Sequence, residues 1–349
     1  MVNIKKILAF SSLALVMTLS LGGITAKASD TNFNVSRVAG ATRIATADNL
    51  AEKQFAGSKT DNVVLVNGYG YADAVSATPL AKLLKAPILL TSGGSSLESE
   101  VSKTISDVGA KKVYIVGGTG VVSSSIETSL KSNYTVERIQ GTDDTTRMGT
   151  NAAVAEKVIS MGGQKTAMLV NGKDGYADAL SVAAIAAQKG YPVLLASSTG
   201  VSDVVRDVVS ENSLTVKAVG GDAVLPQSVV SSVNGTKVTG NTANRYATNL
   251  AVLDYFNNNG GIDFSTIYLA MGGVTNTQFA DALVASAAAA NNGSPLVLTS
   301  QAADSYSVNA RNYIINKNGG ANIIIVGGTG VVTPSVESLY DPFSIIDIE

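Results

Sequence analysis

The sequence predicts an α/β protein with parallel sheets, built from one unit written three times. Two observations predict it: blocks of sequence recur in fixed order at a fixed period, and within each period short apolar strands alternate with helical stretches. The first block, Asn67-Gly-Tyr-Gly-Tyr-Ala-Asp73-Ala-Val-Ser, returns as Asn171-Gly-Lys-Asp-Gly-Tyr-Ala-Asp178-Ala-Leu-Ser. It returns more loosely as Gly272-Gly-Val-Thr-Asn-Thr-Gln-Phe-Ala-Asp281-Ala-Leu-Val. Fourteen residues after each aspartate stands a proline, in Pro87-Ile-Leu-Leu-Thr-Ser, Pro192-Val-Leu-Leu-Ala-Ser and Pro295-Leu-Val-Leu-Thr-Ser. A third block follows as Val113-Tyr-Ile-Val-Gly-Gly, Val216-Lys-Ala-Val-Gly-Gly and Ile323-Ile-Ile-Val-Gly-Gly. The copies are offset by 105 and then 103 residues at both the aspartate and the proline, which chance does not produce.

Within the first unit the elements follow in order. Arg43–Phe55 places Ile44, Ala47, Ala51 and Phe55 on one side, at the spacing of an amphipathic helix. A continuous apolar strand, Asn62–Val66, precedes a small-residue helix, Ala72–Lys85, and a second strand, Pro87–Thr91. Then come a helix with exposed charge (Glu98–Val108), a third strand (Lys112–Val116), a short helix (Ser123–Lys131) and a last strand (Thr135–Ile139). Uninterrupted Val/Ile/Leu strands alternating with helices indicate a parallel sheet covered on both faces, so each unit reads as a small open Rossmann-like domain. Pro79, where the other copies have Ala184 and Ala287, is expected to kink its helix or shift its start. The expected boundaries are repeats at 34–135, 136–236 and 237–349, with joints near 135–142 and 236–244. No Pro-rich or Ser-rich linker separates them, so the units should pack against one another.

Composition narrows function. Lys5 and Lys6, the apolar run Ile7–Ile24 and Ala26-Lys27-Ala28 together read as a secretory signal over residues 1–28. No other apolar run approaches the ~20 residues that a membrane-spanning helix needs. Without Lys5, Lys6 and Lys27 the basic residues fall from 25 to 22 against 27 acidic ones, a net charge of −5. Nucleic-acid binding requires a basic surplus or stripe, and neither is present. The chain has no Cys, His or Trp, which removes disulfides, the commonest metal sites and the commonest nucleophile–base pairs. No catalytic residue, metal or cofactor is expected.

The blocks quoted above, with Arg-x-x-Gly-x-Thr-Arg over Arg37–Arg43, resemble the cell-wall-binding type 2 repeat of clostridial and related Gram-positive surface proteins. The resemblance covers the chain after residue 28 and loosens in the third copy, where Met271-Gly-Gly replaces Asn-Gly and Phe279 replaces Tyr. It implies three Rossmann-like or toprim-like repeats arranged as a pseudo-three-fold ring. It also implies a secreted wall or S-layer location and non-covalent anchoring to an anionic secondary wall polymer, a polysaccharide or a teichoic-acid-like chain. Other surface-layer proteins are the remaining partners it suggests.

Arg43, Arg147 and Arg245 are the most informative positions, because each follows a good N-cap residue (Thr42, Thr146, Asn244) and opens a helix. A cation there opposes the helix dipole by roughly 0.3–1 kcal/mol, yet all three copies keep it. Two readings stand: an anion held by guanidinium and helix start together, or an internal ion pair that bridges repeats. Arg37 and Arg138 assist in the first reading, with Lys237 nearby in the third copy. Asp73, Asp178 and Asp281, each preceded by an aromatic two residues earlier, read as helix caps; no second carboxylate recurs beside them, as glycoside hydrolysis would require. Val116–Gly120 and Val326–Gly330 (Val-Gly-Gly-Thr-Gly) lack the spacing of a nucleotide loop and read as tight turns. Thr91, Ser92, Ser197, Thr299 and Ser300 put hydroxyls at the carboxyl end of the second strand, where ligands of open α/β sheets gather. Two rival readings remain: a structural surface-lattice subunit, and a wall hydrolase acting through carboxylates.

Overall fold

The computed structural model describes residues 32–173, 176–273 and 278–341; the signal-sequence expectation for residues 1–28 lies outside them. The chain begins with strand β1 (Asn34–Val38) and helix α1 (Arg43–Gln54). The first sheet then collects β2 (Asn62–Asn67), β3 (Ile88–Thr91), β4 (Lys112–Val116) and β5 (Thr135–Ile139), with α2 (Tyr71–Leu84), α3 (Ser99–Asp107) and α4 (Ser124–Lys131) between them. After α5 (Arg147–Ser160), the second sheet collects β6 (Thr166–Asn171), β7 (Val193–Ala196), β8 (Thr215–Val219) and the two-residue β9 (Thr236–Lys237). Its helices are α6 (Ala177–Lys189), α7 (Asp203–Glu211) and α8 (Gln227–Ser231). After α9 (Arg245–Asn258) come β10 (Thr266–Met271), α10 (Ala280–Asn292), β11 (Leu296–Thr299), α11 (Ser305–Asn318), β12 (Asn322–Val326) and α12 (Pro334–Glu337).

All the strand pairs are parallel. The sheet orders are β3-β2-β4-β5, β7-β6-β8-β9 and β11-β10-β12-β1. Central strands such as Val63–Val66 and Leu169–Val170 are fully buried, as a sheet covered on both faces requires. Each sheet is offset from the sequence repeat by one strand. The fourth strand comes from the head of the next repeat, so β5 completes the first sheet before α5 opens the second unit. At the last joint the pattern wraps: β1, from the start of the chain, pairs with β12 from Asn34↔Asn322 to Val38↔Val326. The expected boundary at 135/136 therefore falls at the start of a shared strand rather than between independent sheets.

Helix α2 runs unbroken through Pro79, and it starts one position earlier relative to its aspartate than α6 and α10 do. These three helices pack against each other in all three pairs. Their alanines and serines are buried nearly all round, and side chains this short let backbones approach closely. At their starts, Tyr71, Tyr176 and Phe279 form a closed trio with ring centroids 5.3–5.8 Å apart. Each such aromatic contact contributes about 0.5–1.5 kcal/mol beyond its burial. The opening helix of every repeat packs on the second helix of the preceding one: α5 on α2, α9 on α6, and α1 on α10.

Candidate functional site at the joints between repeats

In each sheet the strand order reverses between the first and third strands of the unit, β2 and β4 in the first copy. Loops diverge there and leave a crevice beyond the carboxyl ends. The Asn-Gly block follows one of these strands and the Gly-Gly turn follows the other, so the recurring loop motifs meet at this point. Asn67 fastens them: its side-chain amide donates to the carbonyls of Val121 (2.7 Å) and Ser92 (3.1 Å) and accepts from the Tyr69 amide (2.7 Å). Asn171 donates likewise to Val224 (2.6 Å).

The opening arginine of each repeat bridges the glycine turn after its own first central strand and the crevice of the preceding repeat. Thr42, Thr146 and Asn244 cap the three helices through their side chains, as expected. Arg43 donates to the Gly68 carbonyl at 2.8 Å and Arg245 to the Gly272 carbonyl at 2.8 Å; Arg147 reaches the Gly172 carbonyl at 3.4 Å. Each guanidinium also meets the aromatic residue of the preceding repeat. Arg147 lies 5.4 Å from the Tyr71 ring and donates to its hydroxyl (3.2 Å); Arg245 lies 5.2 Å from Tyr176 and donates to its hydroxyl (3.1 Å). Arg43 lies 5.9 Å from the Phe279 ring, which closes the cycle. Arg147 is exposed, and Arg43 and Arg245 are half-buried. Among the described residues neither Arg147 nor Arg245 is ion-paired.

The aspartates complete each cluster from inside the first turn. The cap positions belong to Gly70, Tyr176 and Phe279, which make no side-chain cap bond, so Asp73, Asp178 and Asp281 complement the helix dipole from one turn in. Each carboxylate lies against the first glycine of the Gly-Gly turn. A Cβ on Gly117, Gly220 or Gly327 would stand 2.9, 3.1 or 2.7 Å from the Oδ2 atom of Asp73, Asp178 or Asp281. These glycines also hold φ of +122°, +140° and +119°, which side chains resist. Burial pushes the Asp73 carboxyl up to about 6 against the pull of Arg147. Burial raises Asp178, opposed by a Thr248 hydrogen bond and by Arg245, and raises Asp281, opposed by Arg43. The arrangement is a cation over an aromatic face beside a carboxylate that ionises reluctantly.

The remaining expected residues are placed less openly. Arg37 is ion-paired with Glu337 at 2.8 Å and donates to the Gly327 carbonyl; Arg138 is ion-paired with Glu127 at 2.6 Å and donates to the Gly117 carbonyl. Lys237 takes the matching place with Asp222 at 2.5 Å. Thr91 is buried and donates to Glu98, Ser197 bonds within its own turn to Gly200, and Thr299 is buried and donates to Ser307. Ser92 is exposed and Ser300 half-buried. Sequence reasoning missed Asn151 and Asn249. Buried in α5 and α9, they donate to the Val193 and Leu296 carbonyls and accept from Leu195 and Leu298, so they satisfy the free edges of β7 and β11. A polar residue four after the arginine, on an apolar face, was the available signal. Among the described residues no acidic cluster fit to hold a metal occurs, and no helix is long and apolar enough to cross a membrane.

A family model described as "Cell wall binding domain 2 (CWB2)" matches residues 37–127, 138–230 and 240–337. The chain is similar to N-acetylmuramoyl-L-alanine amidase LytC of Bacillus subtilis (strain 168), with 31% identity over 87% of this chain and 57% of that protein. It is also similar to the amidase enhancer of the same organism, with 28% identity over 89% of this chain and 41% of that protein. The chain thus spans about half the length of these relatives. Cwp8 from Clostridium difficile shares the fold over 90% of this chain and 53% of its own, with a TM-score of 0.74 and 25% identity. Cwp6 from the same organism does so over 88% and 47%, with a TM-score of 0.75 and 24% identity.

Proposed function

The chain belongs to the cell wall binding domain 2 family, and from that premise we propose that it is a secreted, non-catalytic anchor holding an anionic secondary wall polymer at its three joints. One observation carries the reading: the arginine, aromatic and aspartate cluster recurs at every joint, including the one between the last repeat and the first. An exposed or half-buried guanidinium is a fit partner for phosphate or carboxylate. Three weak sites on one body raise the effective concentration at each other, so retention on a polymer exceeds single-site affinity. The β1–β12 pairing and the mutual packing of α2, α6 and α10 support closure of the repeats into a pseudo-three-fold ring.

The test is retention on purified walls. Alanine at Arg43, Arg147 and Arg245 together should release the folded protein, and wild-type retention should weaken as salt rises. A triple variant that folds and stays on walls sinks the reading. A second reading, in which the arginines only fasten repeats within a surface-lattice subunit, is favoured by their bonds to Tyr71 and Tyr176. It expects the triple variant to lose stability but keep its assembly on walls stripped of polymer.

A further inference from the structure

The three joints differ in what surrounds the arginine, and the differences fall at the joint of the third repeat with the first. A cleft of about 370 Å³ opens there, lined by Thr42, Arg43, Phe279, Asp281, Gly328 and Gly330 among others. The residue after the Asn-Gly pair is Tyr69 in the first repeat, while Lys173 takes that place in the second and Gly273 follows Gly272 in the third. Tyr69 is 62% exposed, the most exposed of the large apolar side chains among the described residues, and Arg43 covers one face of its ring at 4.6 Å. Arg43, which lines the cleft with Phe279, therefore meets two aromatic rings, the exposed Tyr69 and the buried Phe279. Phe279 also lacks the hydroxyl that Tyr71 and Tyr176 present to the arginines at the other joints.

An exposed aromatic ring beside a cation and a polar cleft suits a saccharide that carries an acid. The ring offers an apolar face to the axial C–H groups of a pyranose, the guanidinium takes the anionic group, and the carboxylate and backbone groups of the cleft take hydroxyls. We propose that the joint between the third repeat and the first is the principal site of the three. It takes a phosphate- or carboxylate-bearing pyranose unit, with the sugar stacked on Tyr69 and the acid on Arg43. The assignment rests on the anchoring function proposed above.

The experiment measures binding of glucose 1-phosphate, inorganic phosphate and glucose to the full chain by NMR titration, alongside retention on purified walls. Tyr69→Ala should weaken glucose 1-phosphate binding by about tenfold and leave inorganic phosphate within about twofold, and Tyr69→Phe should bind as the wild type does. Arg43→Ala should weaken both phosphates, and should weaken glucose 1-phosphate binding by about fivefold more than Arg147→Ala or Arg245→Ala does. Equal losses in all three single arginine variants overturn the assignment, as does a Tyr69→Ala loss shared equally by inorganic phosphate, which would make Tyr69 a positioner of Arg43 only. Absence of any glucose 1-phosphate binding to the wild type at millimolar concentration overturns it too. None of these results touches wall anchoring itself, which falls only if the triple arginine variant stays on walls.

Discussion

Asp48 offers the sharpest test of the energetics. It lies in α1 with only 4% of its surface exposed, and neither carboxylate oxygen has a hydrogen-bond partner. The equivalent positions, five residues after the opening arginine, are Ala152 and Leu250. Burial, with the charges of Glu100, Glu52 and Glu98 adding and the nearby Thr104 hydroxyl opposing, pushes its carboxyl up to about 7 from an ordinary 3.8. A carboxyl whose folded value is raised contributes full stability below about pH 4. That contribution is lost as pH rises through 7, at about 1.4 kcal/mol per pH unit. At neutral pH the ionised form thus costs up to about 4 kcal/mol, a ceiling set by complete retention of the folded geometry. Asp48→Asn removes the charge at nearly constant volume, and Asp48→Ala copies the second repeat.

Both variants should raise the denaturation midpoint at pH 7.5, by about 1–3 kcal/mol once relaxation and the amide's own unmet hydrogen bonds are subtracted. The gain should shrink towards zero by about pH 4, where the wild-type carboxyl is neutral. Urea denaturation from pH 4 to pH 8 reads this directly. A variant less stable than the wild type at pH 7.5, or a gain that does not change with pH, refutes the reasoning.

Other consequences follow from the joints. Arg138→Ala strips Glu127 and the Gly117 carbonyl of a donor at a site where the arginine side chain is only 8% exposed, and should cost about 2–4 kcal/mol in urea denaturation. Asn151→Ala removes bonds to Val193, Leu195 and Ser76 at once and should cost about 2–3 kcal/mol by the same measurement. Wall retention should strengthen as pH falls from 8 to 5, by a few-fold: protonation of Asp73 near pH 6 removes a negative charge beside Arg147, and a bound anion would raise that value further. Retention that weakens over that range, on walls whose own charge is constant, contradicts the site.

Much of the fold was legible because it is local. The helix expected at Arg43–Phe55 ends at Gln54, and the strand at Lys112–Val116 falls where its apolar run puts it. Periodicity reports burial on a residue's own element, and a parallel sheet covered on both faces writes that signal strongly. The closing strand was not legible. Asn34–Val38 carries Asn, Ser and Arg because it sits on a sheet edge, and its partner β12 lies almost 290 residues away, so no local pattern declares the pair. The site was half legible: the recurring Arg and Asp, and an ion pair between them across repeats, could be read, but not the aromatic ring that each arginine meets. Arg147 of one copy faces Tyr71 and Asp73 of the one before, a relation that exists only once α5 packs on α2.

That displacement explains why the repeats come as a set. A lone copy would hold three strands of its sheet, lend its first strand to nothing, and carry an arginine without the aromatic ring that seats it. Each joint is completed by a neighbour, and the last neighbour is the beginning of the chain. The joints are nevertheless free to diverge, because each is made from different loop residues on one shared frame: Phe279 for Tyr, Lys173 for Tyr69, and a two-residue β9 with Lys237–Asp222 where the others have five-residue strands and Arg–Glu pairs. The frame is held by the inner helices and edge strands, which the ligand need not touch. If the joints hold polymer as proposed, variation at the loops changes what each takes without loosening the fold, and one site can specialise while the other two keep the chain attached.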